Sequence, residues 1–296
     1  SHMSKKLTIT ILFILTCVLL TSCQTKPVIY SDTGFYFDTV ITVTLYENGS
    51  EEILEETMAL AKHYENLLST TVKGSDIWNL NHNQGTYITL SPETIDLLNA
   101  SLTYARLSDG IVDPTVGALS SLWNFGSDGT DTIPESSAIL HALSHVNYQT
   151  LSIKENEAML LDPEASIDLG FIAKGYIGEQ IKAFLVSQGV TSALINLGGN
   201  VVTIGTKPDG TPFRIGIQDP FAPSGTAALS LELSDESAVS AGNYERYFEK
   251  DGIRYHHILS TKDGYPVSSG LSQVTIICKD STKADALSTL CFILGH

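Results

Sequence analysis

Alternation of apolar and polar side chains marks the first regular element of the chain. Residues 35–47 (FYFDTVITVTLYE) alternate and are rich in β-branched and aromatic side chains, which predicts a β-strand. After Ser50, a favourable N-cap residue, the apolar positions change to helical spacing. The apolar face of this predicted helix consists of Leu54, Met58, Ala61, Tyr64 and Leu68.

Two further helices are predicted from periodicity and from their boundary residues. One begins at Ser91-Pro92-Glu93, because proline suits the first helical position. Its apolar stripe is Ile95, Leu98, Leu102 and Ala105. The other follows a strand and a glycine-rich turn within residues 166–189, and Gly189 ends it.

The remaining regular segments have the character of short strands. Residues 193–205 predict two strands around a Gly-Gly turn, and a loop with a short helical piece covers residues 108–126. Further strands are predicted within 148–155, 158–162, 213–220, 228–234, 237–248, 253–260 and 272–278. This order of elements predicts an α+β fold with a mostly antiparallel β-sheet core and flanking helices.

The N-terminal segment has the features of an export signal. Residues 1–3 look like a vector remnant that ends at a native start, and Lys5 and Lys6 precede an apolar run over 7–20. This run leads into Leu-Thr-Ser-Cys, which resembles a bacterial lipobox ending at Cys23. We therefore expect a lipoprotein signal peptide over 4–22, lipidation of Cys23, a tether over 23–34 and a single domain over 35–296. An ordinary signal peptide with an incidental Cys23 is the alternative.

Charge and cysteine content limit the classes of partner. The 296 residues carry a formal net charge of −16, whereas nucleic-acid binding needs a basic face, so we expect no nucleic-acid partner. An anionic ligand would need a local device such as a metal ion or a helix N-terminus. Cys278 and Cys291 are too few for a disulfide scaffold; they are either buried thiols or a disulfide pair.

Three glycine- or histidine-containing motifs carry candidate chemistry. Residues 168–176 (DLGFIAKGY) place a glycine-rich approach before a helix N-terminus, which suits a phosphate but is also an ordinary strand–helix turn. The Gly-Gly pair in 197–205 either forms a hairpin turn or allows the backbone to pack closely against a bound ligand. His256 and His257 are neighbours in a predicted strand and therefore point to opposite faces, so at most one faces a given site.

A fourth motif, residues 284–289 (ADALST), offers oxygen ligands. Asp285 and Thr289 are four residues apart before an apolar run, so both oxygens would lie on one face of a helix. A carboxylate and a hydroxyl are hard donors that suit Mg²⁺, which commonly binds one or two protein carboxylates together with substrate phosphates. The alternative is a helix cap. No His/Cys cluster with zinc-binding spacing is evident elsewhere. Taken alone, this motif favours the cap over the metal site.

Taken together and in this order, the motifs resemble those of the ApbE-type FAD:protein FMN transferases. The likeness extends from about Phe35 to Gly295 and includes FDTVITVTLY, SDGIVDPTVGALSSLWNFG, IDLGFIAKGY, LINLGGN, SAGNYERYF, YHHIL and ADALST. The resemblance implies a flavin-transferase fold and an enzyme that splits FAD, transfers FMN to a Thr or Ser hydroxyl of a partner protein and releases AMP. It also implies a requirement for Mg²⁺.

The resemblance assigns roles to individual residues. His257 matches the family's catalytic histidine, and Asp285 and Thr289 match its metal ligands together with the backbone oxygen of Phe171. The positions that match contacts to FAD are Phe37, Thr71, Ile111, Val112, Asp113, Asp168, Lys174 and Leu259. Phe171 stands where the family usually has glycine, and Thr71 replaces a commoner aromatic residue.

The resemblance also implies the partners. The acceptor is expected to be a Thr- or Ser-containing protein, a subunit of a membrane redox complex, and the lipid anchor would hold the enzyme on the extracytoplasmic side of the cell membrane. With water as the nucleophile the same site would be an FAD pyrophosphatase. A lipoprotein that only binds flavin, or one with a structural role, are further alternatives.

Overall fold

The computed structural model describes residues 26–295, so the predicted signal peptide and Cys23 lie outside the described part. The chain enters the fold through a hairpin, β1 (Tyr30–Tyr36) and β2 (Thr39–Glu47). The sequence predicted a single strand over 35–47, preceded by a tether up to residue 34. The chain instead forms two strands here, and the first of them already begins at Tyr30. Phe37 and Asp38 form the two-residue turn with φ of 54° and 55°, and this left-handed backbone reverses the chain without glycine.

A six-stranded antiparallel sheet forms the centre of the molecule. Its other strands are β6 (Ser192–Leu197), β7 (Asn200–Ile204), β10 (Ser237–Gly242) and β13 (Gln273–Cys278). The strand order is β1-β2-β6-β7-β10-β13, and every neighbouring pair is antiparallel. The α+β class and the β6–β7 turn at Gly198-Gly199 were predicted correctly.

Three smaller sheets complete the β structure. β3 (Ile88–Thr89), β4 (Leu151–Lys154) and β5 (Glu157–Leu160) form one sheet in the order β3-β5-β4. The two hairpins are β8 (Phe213–Gln218) with β9 (Ala227–Leu233), and β11 (Tyr247–Lys250) with β12 (Ile253–His256). The run 237–248 is therefore two strands rather than one, and β12 ends before His257.

Seven α-helices lie within the described residues. They are α1 (Glu51–Leu68), α2 (Asp76–Asn81), α3 (Pro92–Leu107), α4 (Gly117–Trp123), α5 (Ser136–Leu143), α6 (Ala173–Ser187) and α7 (Ser281–Leu294). The predicted cap of α1 is confirmed, because the Ser50 side chain accepts a hydrogen bond from the Ile53 N–H. The predicted apolar faces of α1 and α3 are buried. None of the helices within residues 26–295 has the length and apolar character needed to cross a membrane.

Two helices pack against the sheet and against each other. α6 lies next to β7, and α7 packs on α6, β10 and β13. The main core lies between the sheet and helices α1 and α6, with Ile41, Ile177 and Ile195 fully buried or nearly so. The strand predicted before α6 is absent. Ser166 makes only an isolated bridge with Val116, so Asp168 lies in a turn rather than at a strand end.

Candidate functional site

A cleft of about 380 Å³ brings together segments that are far apart in sequence. Eleven predicted site residues line it: Phe37, Thr71, Ile111, Val112, Asp113, Asp168, Phe171, Lys174, His257, Leu259 and Thr289. The twelfth, Asp285, lies just behind the wall. The fold thus gathers the ends of β1, α1, α3 and β12 around the N-terminus of α6.

Asp285 is a buried carboxylate in the interior of α7. The N-cap of this helix is Asp280, whose side chain accepts hydrogen bonds from the Thr282 and Lys283 N–H groups, so Asp285 does not cap its own helix. Instead its Oδ2 accepts a hydrogen bond from the Gly175 N–H at 2.7 Å, in the first turn of α6. An anion at this position is stabilised by the free N–H groups and dipole of the neighbouring helix.

Burial makes the ionised form of Asp285 costly. Asp285 is 5% exposed, and desolvation raises its pKa to about 7, with a further increase from Glu245. Lys174 and the Gly175 N–H oppose this change, as does the nearby Asn200 side chain. The Asn200 amide atoms are themselves buried without a hydrogen bond of good geometry. A cation next to Asp285 would relieve this desolvation cost.

The backbone carbonyl of Phe171, just before the start of α6, is free of hydrogen bonds within residues 26–295. A helix that began one residue earlier would pair this carbonyl with the Gly175 N–H, four residues ahead. That N–H donates to Asp285 instead, and within residues 26–295 the Phe171 carbonyl accepts no hydrogen bond. The sequence placed its backbone oxygen in the metal site, and the geometry leaves that oxygen available.

The two adjacent histidines have different surroundings. His256 is 3% exposed, its Nε2 is 2.8 Å from the Val267 carbonyl, and its ring packs edge-on against Phe292. His257 lines the cleft with 22% of its side chain exposed. Of the two histidines only His257 lines this cleft, which agrees with the expectation that at most one of them faces a given site, and His256 is part of the packed interior.

The surroundings of His257 favour a neutral imidazole. Burial, together with the positive charges of Arg246 and Lys174, lowers its pKa well below the usual value. Its Nε2 lies 3.8 Å from Glu245 Oε2, and its buried Nδ1 has no hydrogen-bond partner within the described residues. A neutral imidazole on a cleft can accept a proton from a bound hydroxyl.

Two charged neighbours of His257 escaped the sequence analysis. Arg246 lines the cleft, and its backbone carbonyl accepts a hydrogen bond from the His257 N–H at 3.0 Å. Glu245 lies close enough to influence both His257 and Asp285. Both belong to the SAGNYERYF motif, but charged residues between two strands have no local pattern that reveals which of them faces inward.

Several cleft residues are held by their own hydrogen bonds. The Phe37 N–H donates to Glu65 Oε2 at 2.8 Å, which fixes the hairpin turn against α1. Asp168 Oδ1 accepts from the Gly170 N–H at 2.8 Å and shapes the turn before α6. These contacts present backbone and side-chain atoms to the cleft in a fixed arrangement.

Asp113 has a different role from a simple ligand contact. Its Oδ1 accepts hydrogen bonds from the N–H and hydroxyl of Thr115 at 2.7 and 2.6 Å, and its Oδ2 accepts from the Tyr148 N–H at 2.9 Å. Burial raises its pKa even though these bonds oppose the change. The carboxylate thus holds the loop 111–116 in place at the edge of the cleft.

Gly175 permits the close approach of α6 and α7, so we expect Gly175→Ala to destabilise the protein. A Cβ there would lie 2.2 Å from the Ser281 carbonyl oxygen and 2.5 Å from Asp285 Cβ, and both neighbours are firmly placed. We expect a loss of about 1–3 kcal/mol, as for overpacked cores, measured by chemical denaturation. Gly170→Ala is the control, since its Cβ would meet only the Asp168 side chain. Equal stability of the two variants would contradict this account of the helix contact.

The raised pKa of Asp285 also predicts how stability depends on pH. Between the ordinary pKa near 3.8 and about 7, the folded protein holds a proton that the unfolded chain releases, so stability falls as the pH rises through this window. Each pH unit between the two values is worth about 1.4 kcal/mol, which gives about 4 kcal/mol in total. Denaturation of wild type and Asp285→Asn in chelator at pH 4 and pH 8 checks this. The stability difference between them should shift by that amount in favour of the variant, and a constant difference would refute the assignment.

Comparison with known proteins identifies the family. Residues 37–296 match the ApbE family model. The chain belongs to the ApbE family. A relative from Klebsiella pneumoniae (strain 342), named FAD:protein FMN transferase, is 35% identical over 270 residues, which cover 90% of this chain and 83% of the relative. A relative of the same name from Treponema pallidum (strain Nichols) is 33% identical, and the matched region covers 82% of this chain and 71% of the relative.

Solved structures of ApbE proteins have the same fold over most of the chain. The ApbE protein from Thermotoga maritima MSB8 superimposes with a TM-score of 0.83 at 32% identity and covers 90% of this chain and 87% of its own. The flavin transferase ApbE from Vibrio cholerae gives a TM-score of 0.82 at 25% identity, covering 91% and 88%. The predicted family and fold class are thus confirmed.

Proposed function

We propose that this ApbE-family chain transfers the FMN half of FAD to a hydroxyl group of a partner protein and releases AMP. Family membership and relatives named FAD:protein FMN transferase support this activity. The observation that carries it is the cleft itself, in which His257 shares one cavity with Lys174, Phe171 and Thr289, next to the buried Asp285 carboxylate at the start of α6. This combination suits attack by a hydroxyl on a phosphorus atom.

Magnesium is the metal that this oxygen-ligand cluster fits. Asp285 offers a buried carboxylate whose cost of ionisation a cation would relieve, Phe171 offers a free carbonyl, and Thr289 offers a hydroxyl on the cleft wall. All three are hard oxygen donors, and three protein ligands leave positions for the phosphate oxygens of the substrate. When bound, Mg²⁺ would neutralise charge that develops on the pyrophosphate.

His257 and Lys174 supply the chemistry of the protein itself. The lowered pKa leaves His257 unprotonated at neutral pH, so its ring nitrogen can take the proton from the attacking hydroxyl. Lys174 lines the cleft in the first turn of α6, where its ammonium group and the helix N-terminus together attract a phosphate. The remaining predicted contact positions would hold the flavin and adenine parts: Phe37, Thr71, Ile111, Val112, Asp113, Asp168 and Leu259.

The family resemblance and the N-terminal segment support a proposal for the acceptor and the cellular location. We propose that the acceptor carries a Thr or Ser and belongs to a membrane redox complex. The enzyme would work on the extracytoplasmic side of the cell membrane, held there by a lipid on Cys23. Water in place of the hydroxyl would make the same site hydrolyse FAD to FMN and AMP.

Product analysis separates these possibilities. The protein is incubated with FAD and MgCl₂, with and without a candidate acceptor, and AMP is measured by chromatography while protein-bound flavin is detected by fluorescence in a denaturing gel. AMP with a fluorescent acceptor band supports transfer. AMP with free FMN and no band would identify a pyrophosphatase, and FAD binding without AMP would identify a flavin-binding lipoprotein; either result would overturn the proposal.

A further inference from the structure

A second group of metal-binding side chains lies outside the cleft. His141 on α5 and His145 just beyond its end are four residues apart, and Glu164 lies in the turn that follows β5. One ligand atom from each lies within 4.8 Å of the others. This group was not predicted from the sequence, in which no His/Cys cluster with zinc-binding spacing was evident. We name this group, with Asp162 behind it, the α5 histidine cluster.

The distances in the α5 histidine cluster suit a small divalent ion. The Glu164 carboxylate contacts both rings, with Oε1 3.0 Å from His141 Nε2 and Oε2 3.0 Å from His145 Nε2. With bonds of about 2.0–2.1 Å, ligand atoms of a tetrahedral zinc ion are about 3.3 Å apart. The two nitrogen–oxygen distances are close to this value, and all the ligand atoms lie within 4.8 Å of one another, so small shifts of the side chains would bring them to the separation that zinc needs.

Asp162 orients one of the two rings. Both of its oxygens lie 2.8–2.9 Å from His145 Nδ1, so the Nδ1 proton is donated to this carboxylate. The Asp162 side chain is in turn fixed by the Glu164 N–H at 2.8 Å. A histidine held by a carboxylate at one nitrogen and offering the other as a ligand is the usual arrangement of protein zinc sites.

The two rings and the Glu164 carboxylate face one another. His145 Nε2 lies 3.0 Å from one Glu164 oxygen. The His141 ring faces the other oxygen of the same carboxylate, and the two rings are 4.9 Å apart. A metal ion between them would be bound by both imidazoles and the carboxylate at once.

We propose that the α5 histidine cluster binds a borderline-soft divalent ion, with Zn²⁺ as the matching metal and His141, His145 and Glu164 as ligands. Two imidazoles and one carboxylate suit zinc rather than magnesium, which prefers oxygen ligands. Three protein ligands at a half-exposed position leave a fourth place for water. The ion would tie the end of α5 to the segment 162–164, which leads into the turn before α6.

Zinc titration tests this site independently of the flavin chemistry. The protein, freed of metal with chelator, is titrated with ZnCl₂ in the presence of excess MgCl₂ so that the oxygen-ligand site is blocked, and Co²⁺ absorption reports imidazole ligation. We expect one zinc ion per chain and a higher melting temperature with zinc. His141→Ala, which removes a ligand, should weaken zinc binding by more than about tenfold. Asp162→Asn, which removes only the carboxylate that orients His145, should weaken it by about tenfold.

The matched control is His63→Ala. His63 also contacts a glutamate, with Nε2 3.3 Å from Glu93 Oε1. This pair does not belong to a group of three possible metal ligands within the described residues. His141 is well exposed, so its replacement is not expected to unfold the protein. The proposal would be overturned if the wild-type protein bound no zinc, or if wild type and His141→Ala bound zinc with equal affinity. Loss of binding in Asp285→Asn alone would assign the zinc to the cleft and also overturn it.

Discussion

Asp285→Asn is expected to lower Mg²⁺-dependent release of AMP from FAD by about a thousandfold, the effect of losing several kcal/mol of charge stabilisation. The asparagine oxygen can still accept the hydrogen bond from Gly175, so the contact between α6 and α7 should persist. What is lost is the negative charge that attracts the cation. Initial rates measured over a range of MgCl₂ concentrations check this, because a weakened site raises the Mg²⁺ requirement as well as lowering the rate.

Asp280→Asn provides the matched control for this variant. Asp280 lies on the same helix and carries the same charge, but it is exposed and serves as the N-cap of α7. Asparagine is an equally good N-cap, so little change in stability is expected. Wild-type rates for Asp285→Asn, or equal losses for the two variants, would show that Asp285 is not a metal ligand.

His257→Ala should lower the rate of FMN transfer by about 10²–10⁴-fold, the usual contribution of a positioned general base. The protein should remain folded, because the ring lies on the cleft and its Nδ1 makes no hydrogen bond within the described residues. Fluorescence of the acceptor in a denaturing gel gives the rate. FAD affinity should change much less than the rate, since the ring is proposed to act on the hydroxyl.

His256→Ala is the control, with the opposite expected result. His256 is buried, contacts the Val267 carbonyl and packs on Phe292, so its loss should lower thermal stability. Below the melting temperature its transfer rate should stay close to that of wild type. If His256→Ala lost more activity than His257→Ala at a temperature where both are folded, the assignment of the base would be wrong.

Local sequence signals predicted the long helices α1, α3 and α6, whereas the short helices α2 and α5 were not predicted. α1 has a capping serine, a proper apolar face and acidic residues in its first turn, and all of these act within a few residues of one another. The β1–β2 hairpin was missed because its turn is Phe37-Asp38, whereas hairpin turns are usually recognised by asparagine and glycine. The alternation of side chains also continues across the turn and conceals it.

The site was predictable only where family motifs carried information. Eleven of the twelve site positions named from the resemblance do line one cleft, although spacing alone left the cap and ligand readings of Asp285 open. The cap interpretation was partly right in an unexpected way, since Asp285 accepts from the start of α6 rather than α7. A residue 110 positions away along the chain leaves no mark in a local pattern.

The α5 histidine cluster shows the same limit. His141 and His145 are visible in the sequence at a spacing that helices use for metal ligands, but Asp162 and Glu164 reach them only through the fold. Two histidines alone do not make a site, and the carboxylates that complete it belong to a turn after a different strand. These carboxylates approach the histidines only in the folded protein, through contacts between segments that are distant in sequence.

The hydrogen bond between Gly175 and Asp285 has a consequence for refolding. It joins residues that lie 110 positions apart along the chain, with strands β6 to β13 between them, so forming it closes a long loop. The cation site that we propose at Asp285 needs both segments in place. Mg²⁺ affinity would then serve as a test of complete refolding.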